Sequence, residues 1–329
     1  MNRVAIIGSN SFSGATFCAR ALDEDCDVIA ISRSPEPNPV FLPYRWHARD
    51  GSIRFHQFDI NSDMAAINDL LRKEKPAYVV NFAAQSMVGQ SWNIPEHWFQ
   101  TNAVATTMLF NHLRTYDFLE RYIHVTTPEV YGSTDGPVTE NTSFNPSTPY
   151  AVSRAAGDMS LDAYATAYGL PAIKTRAANV FGAGQQLYRI IPRAVLFFRI
   201  GRTLQLHGGG ASRRSFIDMR DVSDAMWRML IGGRDGETYH IATDEIVSIR
   251  QLIERICAKM GVDFDAHVET TGDRLGKDDA YLLDATKIGD HHGWRPQISL
   301  DKGLDAVIDW VDRNLDVLKD EALDYVHKA

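Results

Sequence analysis

Cysteine is scarce in this chain of 329 residues. There are three, Cys18, Cys26 and Cys257, too scattered to form a metal-type pair or a disulfide framework. Structural zinc is therefore not expected, and a reducing compartment, the cytoplasm, is. Basic charge is also in deficit, with 34 lysines and arginines against 42 acidic residues and a net charge of −8. That balance excludes a general nucleic-acid binder, but it leaves room for a local arginine cluster to hold a small phosphate ligand. No long hydrophobic run is present. The most apolar late stretch, Ile190 to Ile200, is interrupted by Pro192, Arg193 and Arg199 and is too short to span a bilayer, so no membrane partner is expected. Internal repeats and low-complexity segments are absent. A folded-looking pattern begins at Arg3, which predicts no leader sequence.

What is present is alternation. Val4–Ile7, Asp27–Ser32, Ile53–Asp59, Tyr78–Phe82, Tyr122–Thr126 and Ala172–Ala178 read as strands, and segments near 13–23, 63–73, 97–116 and 150–168 read as helices. Strands apolar on both faces, taken in turn with helices, predict an α/β fold of the Rossmann type: a doubly wound parallel sheet covered on both sides. After Phe181 the pattern loosens. One more strand is predicted at Thr238–Ile241, with helices at about 248–260 and 302–318. The expected organisation is a dinucleotide-binding lobe over 1–180, joined by the returning strand near 238–241, and a smaller C-terminal lobe over 181–329.

The first strand runs into Gly8-Ser9-Asn10-Ser11-Phe12-Ser13-Gly14, and a helix follows. Glycines here permit a tight turn, close approach of backbone to a pyrophosphate, and close packing of helix on strand. Ser11 takes the middle position, where its hydroxyl is placed to donate to phosphate. Asn10 and Phe12 complete the loop. The second strand ends Ser32-Arg33, and arginine suits the 2′-phosphate of NADP, whereas an acidic residue would suit NAD. NADP is the expected cofactor, with NAD the alternative. Asp59-Ile60 fits an adenine contact, and Phe82-Ala83-Ala84 ends the fourth strand with small residues beside the cofactor.

Tyr150-Ala151-Val152-Ser153-Arg154 opens a helix, and Thr126-Thr127-Pro128-Glu129-Val130-Tyr131-Gly132 follows a strand. With the Gly-rich start, these motifs resemble the extended short-chain dehydrogenases, specifically the nucleotide-sugar 4,6-dehydratases. The stretch from Ala84-Gln85-Ser86 to Pro95-Glu96 is most similar to the GDP-mannose branch, whereas Asp273-Arg274-Leu275-Gly276-Lys277-Asp278 is nearer the dTDP-glucose branch. The resemblance runs from Val4 to about Leu304. It implies hydride removal from sugar C4, elimination of water across C5–C6 and hydride return to C6. Tyr150 would accept the 4-hydroxyl proton, for which its pKa must fall from about 10 toward neutrality. Arg154 would supply the neighbouring cation, Glu129 the base for the C5 proton, and Thr127 a hydroxyl to hold the sugar O4. Asn102 would lie near the cofactor. Ser86, Asn179, Arg214 and Arg274 would hold the nucleotide-diphosphate sugar, with Arg213 and Arg189 as lesser helpers. A homodimer built on the helices near 97–116 and 150–168 is implied too.

Two positions depart from the family pattern. Arg154 stands where the family has lysine; it keeps the charge but not a labile proton. Pro128 stands where the relatives carry aspartate or serine, and proline protonates nothing. Either Glu129 protonates the leaving hydroxyl, or water does, or the elimination does not occur. A 4-epimerase and a low-turnover cofactor-binding homologue are the alternatives. His291-His292 reads as a solvated turn.

Overall fold

The computed structural model describes residues 3–46, 52–134, 136–272 and 282–328. Fourteen strands follow in chain order: β1 Arg3–Ile7, β2 Asp27–Ser32, β3 Ile53–Gln57, β4 Tyr78–Asn81, β5 Arg121–Val125, β6 Pro137–Val138, β7 Ala172–Ala177, β8 Asn179–Phe181, β9 Leu204–His207, β10 Arg213–Asp218, β11 Thr238–Ile241, β12 Ile246–Ser248, β13 Val268–Thr271 and β14 Leu282–Leu283. Seven of them form one all-parallel sheet in the order β11-β7-β5-β4-β1-β2-β3. The order reverses between β1 and β4, and that switch opens a crevice at the carboxyl ends of the strands. The third strand ends two residues earlier than expected, because Asp59 turns the chain: its carboxylate accepts from Asn61 N at 2.9 Å.

Both faces of the sheet are buried, as the all-apolar strands require. Helices α1 (Phe12–Asp23) and α7 (Met219–Gly232) cover one face, where Val4, Ile6, Val28 and Ala30 meet Phe17, Met226 and Met229. The opposite face packs Ala5, Ile7, Ile29 and Val79 against α2 (Met64–Glu74), α4 (Thr106–Leu113) and α5 (Pro149–Tyr168). The single helix expected near 97–116 is three segments: α3 (Pro95–Phe99), a wide π-helical turn at Gln100–Ala105, and α4. Helix α5 is punctuated at both ends. Thr148 caps it by accepting from Ala151 N at 3.1 Å, Pro149 occupies the first turn, and Gly169 closes it in the left-handed region.

A second apolar cluster gathers α6 (Ile190–Arg199), α8 (Ile249–Met260), α11 (Leu300–Arg313) and the short sheet β12-β10-β8. It also takes Val40 and Phe41 from the loop after β2, and Trp310 Nε1 donates to Val40 O at 3.1 Å. Conversely, α7 and α10 (Thr286–His292) pack on the large sheet although they lie beyond residue 180. The helix expected at 302–318 breaks at Asn314 into α11 and α12 (Leu315–Leu318). His291 and His292 end α10 rather than forming a solvated turn, and both rings lie against Tyr239. Among the described residues, no helix is long and apolar enough to cross a membrane.

Candidate functional site

The crevice has a volume of about 860 Å³, and the Gly8–Gly14 loop forms one wall. Gly8 adopts φ +86°, and a Cβ there would lie 2.6 Å from Ala83 N. A Cβ on Gly14 would lie 2.2 Å from Gly8 O. The loop thus presses flat against β4 and against itself, the cradle a pyrophosphate needs, with the N-terminus of α1 aimed into it. Ser11 departs from expectation. Its hydroxyl donates to Gly8 O at 2.7 Å and accepts from Gly14 N at 3.0 Å, so it caps the helix. Asn10 ties the loop after β2, donating to Ser34 O at 2.9 Å and Pro35 O at 3.1 Å. Phe12, Ser32, Arg33, Asp59, Ile60, Phe82, Ala83 and Ala84 all line the crevice.

Asn102 does not line it. The side chain is buried, accepts from Gln85 N at 2.9 Å and donates to Gln85 O at 2.9 Å and Ser153 Oγ at 3.0 Å. It pins the segment after β4 to α5, three residues along the helix from Tyr150. This is a positioning role rather than a cofactor contact.

Thr127, Glu129, Tyr150 and Arg154 meet on the wall beyond β5. Thr127 caps the short helical turn Pro128–Tyr131, accepting from Glu129 N at 3.3 Å, so its backbone position and that of Glu129 are fixed together. Tyr150 is buried, and burial pushes its phenol above the ordinary value, with the Glu129 carboxylate adding to the rise. Arg154, a hydrogen bond with Thr127, and Arg189 pull the other way without overcoming burial. The expected fall toward neutrality is therefore not delivered by the protein groups alone. Arg154 is 4% exposed and donates from Nη2 to Val125 O, which locks its guanidinium beneath the strand end.

Ser86 and Asn179 line the crevice; Arg214 does not. It lies on β10 opposite Val247, with Nη1 donating to Arg213 O at 2.8 Å. Arg274 falls outside the described residues. The cation that does reach the crevice from this side is Arg189, the residue just before α6, which motif matching ranked lower. Two more contributors escaped sequence reasoning. Gln85 is 2% exposed on the crevice wall, and the C-terminal segment brings Tyr325 and Lys328 to it from across the chain. The signal for Gln85 was its place beside Ala84; no local signal marks the C-terminal segment.

Behind the reactive wall lies a buried polar network. Arg176 Nη2 donates to Asp158 Oδ2 at 2.7 Å, and Arg176 Nη1 donates to the Tyr131 hydroxyl. That hydroxyl meets His240 Nε2 at 2.8 Å, and His240 Nδ1 lies 3.1 Å from Asp284 O. Burial and the Arg176 charge push His240 down to about 4, so the ring is neutral near pH 7 and donates from Nδ1 to the carbonyl. Asp158 sits on α5 two turns beyond Tyr150. The network therefore braces the helix that carries the tyrosine and the turn that carries Glu129.

Comparison with known proteins places this geometry. The family described as GDP-mannose 4,6 dehydratase matches residues 6–307. A dTDP-glucose 4,6-dehydratase of Mycolicibacterium smegmatis is 32% identical over 325 residues, covering 95% of this chain and 94% of that one. One from Xanthomonas campestris pv. campestris strain B100 is 32% identical over 267 residues, covering 75% and 76%. Among solved structures, the dTDP-glucose 4,6-dehydratase DesIV of Streptomyces venezuelae, with NAD bound, superposes with a TM-score of 0.88 at 32% identity, covering 95% of this chain and 98% of that one. With the Rossmann sheet, the glycine cradle and the Thr127–Glu129–Tyr150–Arg154 wall in place, the chain belongs to the GDP-mannose 4,6-dehydratase family of nucleotide-sugar enzymes.

Proposed function

We propose that the protein is an NADP-dependent nucleotide-sugar 4,6-dehydratase that converts a nucleotide-diphosphate sugar into its 4-keto-6-deoxy derivative. The observation that carries this reading is Glu129 on the same wall as Tyr150, close enough for its charge to act on the phenol. A dehydrogenation alone needs the tyrosine; a proton taken from C5 needs a second base. When bound, the oxidised nicotinamide accepts the hydride from C4, supplies the positive charge that Tyr150 still lacks, and returns the hydride to C6. Tyr150 takes the 4-hydroxyl proton while Thr127 holds that oxygen. Glu129 then takes the C5 proton, made acidic by the 4-ketone. Pro128 offers no proton, so Glu129 passes the one it holds to the departing 6-hydroxyl, and one water leaves. Asn179, Ser86 and Arg189 line the part of the crevice assigned to the sugar nucleotide.

Arg33 at the end of β2 supports NADP over NAD. Three buried, unpaired thiols fit a reducing cytoplasm. Purified protein incubated with a panel of nucleotide sugars should yield one product lighter by one water. Unchanged mass with a new stereoisomer would instead establish the 4-epimerase reading, which Pro128 favours.

A homodimer follows from the surface. Phe99, Val104 and Met108, on the segment from α3 to α4, and Val152 and Met159 on α5 are exposed large apolar side chains. Pairing this face with its copy buries them in a four-helix contact. Sedimentation at micromolar concentration should give a dimer, and Met159→Glu should give monomers.

A further inference from the structure

The segment after α12 runs back across the molecule as an extended strap. From Glu321 to Lys328 the side chains alternate between half-buried at odd positions and exposed at even ones, the period of extended backbone. It is fastened along its length. Asn38 Nδ2 donates to Glu321 Oε1 at 3.2 Å, and Arg193 Nη2 donates to Leu323 O and Asp324 Oδ1, both at 2.5 Å. The Tyr325 ring meets Tyr188 edge-on at 5.5 Å, and the His327 ring stacks on Trp98 at 4.9 Å. His97 Nδ1 and His327 Nε2 lie 2.9 Å apart. At the far end, the Lys328 carbonyl accepts from Gln85 Nε2 at 2.7 Å and from Arg33 Nη1 at 3.1 Å. The Lys328 ammonium donates to Ser34 Oγ at 3.2 Å.

We propose that Lys328 is a specificity-determining residue for the cofactor: carried by the strap, it joins Arg33 and Ser34 in a site for the 2′-phosphate of NADP. This rests on the reading of Arg33 as the NADP-selecting residue. The end of β2 is where the adenosine ribose of a dinucleotide lies in this topology. Three donor groups of different kinds meet there: a guanidinium, a hydroxyl and an ammonium. A phosphate dianion takes all three at once, whereas the neutral ribose hydroxyls of NAD have no use for a second cation. Bringing an arginine and a lysine to adjacent residues costs repulsion that an anion between them relieves. The strap's anchors on Trp98, Arg193 and Asn38 hold that lysine at the site without the cofactor having to recruit it.

The test measures dissociation constants of NADP and NAD for the full-length protein, with 2′,5′-ADP and 5′-AMP as fragment probes. Lys328→Gln should weaken NADP and 2′,5′-ADP by about tenfold, the weight of one charge-assisted contact, and leave NAD and 5′-AMP unchanged. Lys328→Glu should weaken the phosphorylated pair further. Lys328 is exposed near the end of the strap, so neither variant threatens folding. Equal effects of Lys328→Gln on NADP and NAD would overturn the inference. If Arg33→Ala removes the NADP preference while Lys328→Gln leaves it intact, the NADP reading stands and the role of Lys328 falls. If the unaltered protein holds NAD as tightly as NADP and Arg33→Ala changes neither, both fall together.

Discussion

Glu129→Gln is expected to bind cofactor and nucleotide sugar normally, to reduce nicotinamide on mixing, and then to stall before water is lost. The glutamine preserves the shape of the side chain and the cap that Thr127 gives the turn. It removes only the base. Loss of one positioned base lowers a rate by about a hundredfold to ten-thousandfold, so the overall turnover should fall by that much while the reduction burst survives. Tyr150→Phe should fail earlier, with no burst, because nothing accepts the 4-hydroxyl proton. Stopped-flow absorbance of the reduced nicotinamide separates the two, and product mass confirms the stall. Dehydration by Glu129→Gln at the unaltered rate would remove Glu129 from the chemistry and leave the protein an epimerase-type enzyme with a bystander carboxylate.

Asp158→Ala should cost about 3–5 kcal/mol of stability, because it strands a charge in the interior. Arg176 and Asp158 are 1% and 0% exposed and 2.7 Å apart. Arg176 is also boxed in by aromatic rings, with its guanidinium 4.9 Å from the Tyr131 centroid and 5.0 Å from that of Phe144. It has no route to solvent once its carboxylate is gone. The double variant Asp158→Ala with Arg176→Met removes both charges and should recover most of the loss, since a buried pair exchanged for apolar groups is often close to neutral. Urea unfolding of the three proteins reads this directly. A single variant within about 1 kcal/mol of the parent would mean the pair is wetter than its burial indicates.

The sheet was legible because its strands are buried on both faces and so read as uninterrupted apolar runs. Helix α5 was legible because Thr148, Pro149 and Gly169 punctuate it, and its reactive residues lie one turn apart at Tyr150 and Arg154. The rest depended on contacts that no local pattern encodes. Helix α7 reads as ordinary amphipathic sequence, and only the fold shows that it lies against α1 on the large sheet. Ser11 and Asn102 matched motif positions, but the hydrogen bonds of their side chains are already committed within the protein. Arg189 outranks Arg214 because its place just before α6 aims it at the crevice, a matter of direction rather than identity. The strap joins Lys328 to Arg33 across 295 residues, beyond the reach of any spacing rule.

The wide turn at Gln100–Ala105 sets a rule for length rather than for identity. It sits between Trp98, wholly buried, and Leu109, Phe110 and Leu113, which enter the core under the sheet. Removing one residue would return the segment to ordinary pitch and rotate everything after it by about 100°. That rotation would swing the three core side chains off the sheet and carry Val104 and Met108 off the exposed face. Substitutions here are tolerated by size and polarity, one position at a time, but an insertion or deletion misaligns a whole face at once. Over evolutionary time the segment is a fixed-length ruler, and gaps between relatives should accumulate in the loops on either side and be excluded from these six residues.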